Sequence, residues 1–125
     1  MEKECAMRIK KITEGFQNCC EAFSAIGDPT RQAILVVLLA SDFGGIRVGE
    51  IAKKAHLTRP SVSHHLKILK EAGIVGMRKE GTKNYYYISL DENKWKEMMY
   101  LMNNICEGIE AGKREEITYG KSRTD

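Results

Sequence analysis

The sequence predicts one mainly α-helical domain that carries a small β-hairpin. In several segments of the 125-residue chain the apolar residues recur at steps of three and four, the spacing of one helical face. Two runs, 74–79 and 85–90, predict two strands joined by a tip at 80–84, and the aromatic and β-branched residues of the second run support it most strongly. This length, with 42% hydrophobic residues and two prolines, is typical of a single compact domain.

Two helices are predicted before residue 41. The first spans 7–23, where apolar residues repeat at helical spacing. Asp28 is expected to cap the second helix, and Pro29 suits its first position because the N–H that proline lacks would be unpaired there. This helix should end near Ala40. Because the run over 33–40 is apolar on nearly every side, we expect it at the centre of the core.

Two short helices joined by a tight turn are predicted next. The segment 46–48 is long enough only for a short strand, and a third helix is expected over 50–56 with Gly49 as its cap. Thr58 should cap a fourth helix that ends at Ala72-Gly73, since glycine tolerates the left-handed conformation past a helix end. This pair is typical of a helix-turn-helix, and the hairpin after it is expected to form a wing. The apolar residues of the fourth helix expected to face inward are Val62, Leu66 and Leu69.

A last helix is predicted from Asp91. We therefore expect one winged-helix domain over 1–112, with the helix-turn-helix and wing at 46–90 and a polar tail at 113–125. The segments 1–25 and 91–112 have narrow apolar stripes that a small core has little room to bury, so we expect them to pair across the two-fold axis of a homodimer. The alternative is that both stripes close over their own core.

The positive charge is concentrated in the middle of the chain. The net charge of +3 is too small to indicate a partner. However, residues 46–90 hold nine basic and three acidic side chains, whereas the rest holds 11 and 14. No carboxylate occurs from Ile51 to Lys70. This distribution favours double-stranded DNA as a partner of the helix-turn-helix.

The fourth helix has side chains suited to a major groove, which require short hydrogen-bonding groups near the helix start and cations beside them. We assign Arg59, Ser61, Ser63 and His64 to base edges or nearby phosphates and Lys67 to the DNA backbone. The alternative is an ordinary solvated helix and hairpin. The candidate DNA-binding residues are Thr58, Arg59, Ser61, Ser63, His64 and Lys67 on the helix and Arg78, Lys79 and Lys83 near the wing tip.

Three motifs in this order resemble the ArsR/SmtB family of bacterial winged-helix repressors: GDPTRQAIL, VGEIAKKAHLTRPSVSHHLKILKEAGIV and RKEGTKNYYYISL. The resemblance covers roughly Ala22 to Leu90. It implies a homodimer that binds an inverted-repeat operator through paired recognition helices and wings, and that leaves the DNA when an inducer binds. By position, it makes 58–72 the recognition helix and 75–90 the wing. Arg31, in the first motif, is expected to have a structural role as a buttress of the core; the alternative is a contact with the DNA backbone.

The metal sites of that family are mostly missing. The helix EIAKKAH has no cysteine, and no histidine follows His65. We expect no required cofactor. If the first and last helices pair, Cys19 or Cys20 would approach Cys106, and such thiolates suit a soft metal, a metalloid such as arsenite or a regulatory disulfide. The alternative is that the cysteines are small buried hydrophobes.

Other classes of protein are disfavoured. No run approaches the ~20 apolar residues of a membrane span, and the N-terminus lacks a signal peptide, so we expect a cytoplasmic protein without a membrane partner. No enzyme is expected, because Ser61, Ser63 and the histidines have no nearby acid to orient a base. The leading hypothesis is a sequence-specific transcriptional regulator, a homodimeric repressor released by a small inducer or a thiol-directed signal. The alternative is a winged-helix module that binds proteins and does not read DNA.

Overall fold

The chain folds in the order ααααββα. The computed structural model describes residues 2–90 and 94–119, which contain five helices and one two-stranded antiparallel sheet. The mainly helical fold with a hairpin wing is thus confirmed. The elements are α1 (Glu2–Ile26), α2 (Pro29–Leu39), α3 (Val48–Ala55), α4 (Arg59–Glu71), β1 (Gly76–Glu80), β2 (Lys83–Tyr87) and α5 (Lys94–Tyr119).

Helices α1 and α5 pack against each other along much of their length within one chain. Gly15 faces Leu101 and Gly108 faces Arg8, so the two helices run antiparallel. A Cβ on Gly15 would lie 2.8 Å from Leu101 Cδ1, so glycine permits this close approach. The other helix and the core bury only part of the apolar stripe on each helix. The rest of each stripe is exposed.

The core lies where α2, α3 and α4 meet the α1–α5 pair. The inward face of α4 is completely buried, as predicted for Val62, Leu66 and Leu69. The central placement of α2 is wrong. This helix buries Ile34, Leu35 and Leu38 but leaves Val36 63% and Leu39 56% exposed, because α1, α3 and α4 cover only one side of it.

Several helix limits differ from the predictions. Helix α1 extends beyond 7–23 at both ends. Helix α3 begins at Val48, after an Arg47 N-cap that makes no side-chain capping hydrogen bond, so Gly49 is a helix residue and not the cap. The strand predicted over 46–48 is reduced to one bridge between Ile46 and Tyr86.

The wing is longer at its tip than predicted. Glu80 pairs with Lys83, so the turn consists of two residues and β2 begins before Tyr85. Gly81 makes this tight turn possible with a φ of +61°. At the other end β1 begins at Gly76.

Helix α5 continues to Tyr119, into the segment predicted as a polar tail. Its predicted start at Asp91 and the end of that tail, 120–125, lie outside the described residues. Among the described helices, none is by itself both long and apolar enough to cross a membrane. One pair, 3–26 with 29–39, meets those criteria of length and composition only when joined, and it is bent by 89°.

Candidate nucleic-acid interface

The side of helix α4 that faces away from the core is polar and positively charged, and we call it the front of α4. Thr58 Oγ1 caps the helix by accepting a hydrogen bond from the Ser61 N–H at 3.3 Å, as predicted. Because one face of α4 is buried, the remaining side chains point away from the core. The candidate residues that are exposed on α4 or at its cap are Thr58, Arg59, Ser63, His64 and Lys67, whereas Ser61 is half-buried.

Arg31 holds α4 against the helices beneath it. Its Nε donates to the Ala25 carbonyl at 2.6 Å, and its Nη1 lies 3.3 Å from Nδ1 of His65 on α4. A guanidinium can only donate, so Nδ1 of His65 is the acceptor. The Asp28 carboxylate accepts the Arg31 backbone N–H at 2.9 Å, and this hydrogen bond lowers the pKa of Asp28. The structural role expected for Arg31 is confirmed.

The wing is fastened to the loop before α3. Arg78 Nε and Nη2 both donate to the Gly44 carbonyl, at 3.1 and 2.7 Å. Its Nη1 lies 2.8 Å from Glu80 Oε1, and the guanidinium carbon is 4.6 Å from the centre of the Tyr85 ring. The Ile46 bridge with β2 joins the same two segments. Arg78 is therefore occupied by contacts within the chain.

The other two wing candidates differ from Arg78. Lys79 and Lys83 are exposed on either side of the wing tip. Neither forms an ion pair within the described part of the chain. The sequence predicted the same role for all three wing cations. Arg78 differs from the two lysines because the tertiary structure brings the Gly44 carbonyl within its reach.

A cleft of about 500 Å³ separates the start of α3, the start of α4 and the wing. Arg47 and Arg59 supply its positive charge. The one carboxylate among the residues that line the cleft belongs to Glu50, and its Oε1 lies 3.4 Å from Nζ of Lys54 on the next turn of α3. Sequence reasoning missed this α3–wing cleft, because Arg47 precedes α3 and its proximity to the wing depends on tertiary structure. The residues that line the α3–wing cleft include Arg47, Gly49, Arg59, Ser63, Thr82 and Asn84.

The cysteines do not converge within one chain. Cys19 is buried, and this burial raises the pKa of its thiol, with a further contribution from Glu97. Cys20 and Cys106 are exposed. The antiparallel packing of α1 on α5 places Cys106 beside the first half of α1, away from Cys19 and Cys20 in the second half. In the described ranges no three His, Cys, Asp or Glu residues are grouped to hold a metal ion.

Comparisons with known proteins identify relatives over this region. The sequence model of the bacterial regulatory protein arsR family matches residues 28–76. The uncharacterized HTH-type transcriptional regulator MJ1325 of Methanocaldococcus jannaschii is 40% identical over 92 residues, which are 74% of this chain and 99% of the relative. The transcriptional repressor SdpR of Bacillus subtilis is 40% identical over 67 residues, 54% of this chain and 71% of SdpR.

The fold also matches that of solved structures. One is the homodimeric winged helix-turn-helix DNA-binding domain Mb0332 of Mycobacterium bovis, with a TM-score of 0.54. The match covers 88% of this chain and 90% of that domain at 21% sequence identity. At this identity the likeness shows a shared fold.

Proposed function

The chain belongs to the ArsR family of bacterial regulatory proteins and is a DNA-binding regulator of transcription, and from this premise we propose that it acts as a homodimeric repressor in the cytoplasm. One observation carries the proposal: the front of α4 is exposed, polar and cationic, while its inward face is completely buried. A helix held in this way can enter a major groove without unfolding any of the core. The relative SdpR is named as a repressor, which supports repression rather than activation of transcription.

The second copy is proposed to cover the apolar residues that α1 and α5 leave exposed. Ile9 and Phe16 are seven residues apart on α1, and Met102 and Ile109 are seven apart on α5, so each pair lies on one side of its helix. Phe16 is 52% exposed and Ile109 58% exposed. The homodimeric Mb0332 domain has the same fold. To read successive major grooves on one side of the DNA, the two α4 helices of such a dimer must lie about 34 Å apart.

DNA binding is tested by fluorescence anisotropy with a duplex taken from the region upstream of the chain's own gene. If the dimer contacts six to ten phosphates, its affinity should fall about 10³- to 10⁵-fold between 50 and 200 mM salt. The double variant Arg59→Glu/Lys67→Glu should lose binding, whereas Lys3→Glu/Lys10→Glu on α1, which makes the same change in net charge, serves as the control. Affinity that does not depend on salt would support the alternative, a module that binds only proteins.

The dimer is tested separately by light scattering coupled to size exclusion. Phe16→Glu places a charge in the apolar face, so we expect a monomer that binds DNA far more weakly than the wild type. Gln17→Glu adds the same charge one residue further along α1, about 100° around the helix, and is the matched control. A Phe16→Glu protein that stays dimeric would place the interface elsewhere.

Release from DNA is proposed to follow a small inducer or a thiol-directed signal. Because Cys19 is buried and has a raised pKa, the reactive thiols would be Cys20 and Cys106. These would meet only across two copies, where they would hold a soft metal or metalloid or form a disulfide. Cys20→Ser and Cys106→Ser should then abolish DNA release by arsenite or diamide. Unchanged release in both variants would show that these thiols are not the sensor.

A further inference from the structure

On the basis of the proposed DNA binding, we propose that the α3–wing cleft holds a phosphate of the DNA backbone, and that Gly49 positions Arg59 to bind this phosphate and not a base edge. Arg59 begins α4 and Gly49 is the second residue of α3. Their contact therefore links the two helices of the helix-turn-helix at the mouth of the cleft.

The guanidinium of Arg59 lies flat across Gly49. A Cβ on Gly49 would be 2.8 Å from Nη2, 3.0 Å from Cζ and 3.2 Å from Nε of Arg59. Three atoms of the planar group therefore occupy the space that any larger side chain at position 49 would fill. This conformation places the Arg59 guanidinium beside the start of α3, where it lines the cleft.

The charges of the cleft suit a phosphodiester. Arg47 and Arg59 are exposed, and neither has an ion pair or a side-chain hydrogen bond within residues 2–90 and 94–119. The charge of Glu50 is offset by its pairing with Lys54. Ser63 and Thr82 also line the cleft, and their hydroxyl groups are able to donate hydrogen bonds to phosphate oxygens. The cleft therefore attracts a singly charged anion, and its hydroxyl groups provide uncharged hydrogen-bond donors for that anion.

The position of the cleft distinguishes a phosphate from a base. When a helix lies in the major groove and a wing reaches the flanking minor groove, the DNA backbone passes between them. The cleft lies between α4 and the wing, with Ser63 on one wall and Asn84 on the other. Asn84 Oδ1 is buried and has no hydrogen-bond partner among the described residues; because it only accepts hydrogen bonds, a phosphate oxygen cannot satisfy it, and it needs a donor such as a bridging water.

The test compares two labelled duplexes of about 30 bp, the chain's own upstream DNA and a mixed sequence, by anisotropy over a range of salt concentrations. A phosphate contact adds about 8-fold to the affinity at 0.1 M salt, so losing one per protomer weakens the dimer about 60-fold. Arg59→Ala should show this loss on both duplexes and lower the salt slope by about 1.8.

Gly49→Ala keeps the charge and moves only the guanidinium, which can shift because it is the end of a flexible side chain. We expect a loss on both duplexes in the same direction and smaller than that of Arg59→Ala. Gly112→Ala on α5, where a Cβ would meet open space, is the matched control. Thermal unfolding followed by circular dichroism checks that each variant is folded.

The possible failures are distinguishable. If Arg59→Ala weakens binding only to the upstream DNA and leaves the salt slope unchanged, Arg59 reads a base and the phosphate proposal is wrong, while DNA binding stands. If folded Gly49→Ala binds both duplexes like the wild type, Gly49 does not position Arg59. If the wild-type protein binds neither duplex in a salt-dependent way, the proposed function itself fails.

Discussion

Arg78 provides the sharpest test of how the wing is held. Its guanidinium makes two hydrogen bonds to the Gly44 carbonyl, an ion pair with Glu80 and a stacking contact with Tyr85. A residue at this place in the sequence would be assigned to DNA by its charge. The structure instead predicts that Arg78→Ala destabilises the fold by releasing the wing from the loop before α3.

The magnitude follows from these contacts. The two hydrogen bonds share one acceptor and contribute about 1 kcal/mol together. The stacking of Arg78 on Tyr85 adds about 0.5–1 kcal/mol. The ion pair with Glu80 adds little, because both side chains are exposed and solvent screens them. Arg78→Ala should therefore lower the free energy of unfolding by about 2 kcal/mol and Tm by about 8 °C.

The assay is thermal and urea unfolding at a fixed protein concentration, because dimerisation makes stability depend on concentration. Arg78→Lys keeps the charge but lacks the two guanidinium N–H groups that donate to the Gly44 carbonyl. It should therefore lose most of the free energy of unfolding that Arg78→Ala loses. Lys79→Ala, the neighbouring exposed cation, is the control and should leave Tm unchanged. The reasoning is refuted if Arg78→Ala keeps the wild-type Tm while lowering the salt slope of DNA binding by about 1.8, as loss of one phosphate contact per protomer would.

Three further predictions concern a cap, a glycine and a carboxylate. Thr58→Ala removes the side-chain cap of α4 and should lower the free energy of unfolding by about 0.5–2 kcal/mol, with Thr58→Ser close to the wild type in urea unfolding. Gly76→Ala places a Cβ 2.7 Å from the Tyr87 ring and should cost about 1–3 kcal/mol in the same measurement; an unchanged midpoint would mean that the ring moves freely. The hydrogen bond from the Arg31 backbone lowers the pKa of Asp28. Its stabilising effect is therefore present above the ordinary pKa of an aspartate and is lost as pH falls through the lowered value. The stability difference between wild type and Asp28→Ala should shrink as pH falls from about 5 to 3, and a constant difference would exclude this cause.

The recognition helix could be predicted almost completely from the sequence. Its cap at Thr58 and its buried residues follow from local propensity and a period of 3.6 residues. The same reasoning failed for α2, since a helix that is apolar on all sides carries no signal of which side its neighbours cover. It also failed at Gly49, where glycine suggested a cap but serves the approach of Arg59, ten residues further along the chain.

The sequence by itself determined the helix-turn-helix, the hairpin and the cationic surface between 46 and 90, because turn residues, hydrophobic periods and charges act over a few neighbours. Only the tertiary structure decided which groups surround each cation. It ties Arg78 to Gly44, 34 residues away, and directs Arg59 into a cleft between three elements. It also divides the stripes of α1 and α5 between an internal contact and an exposed face. Such assignments depend on distances between segments remote in sequence, which follow only from how the core packs.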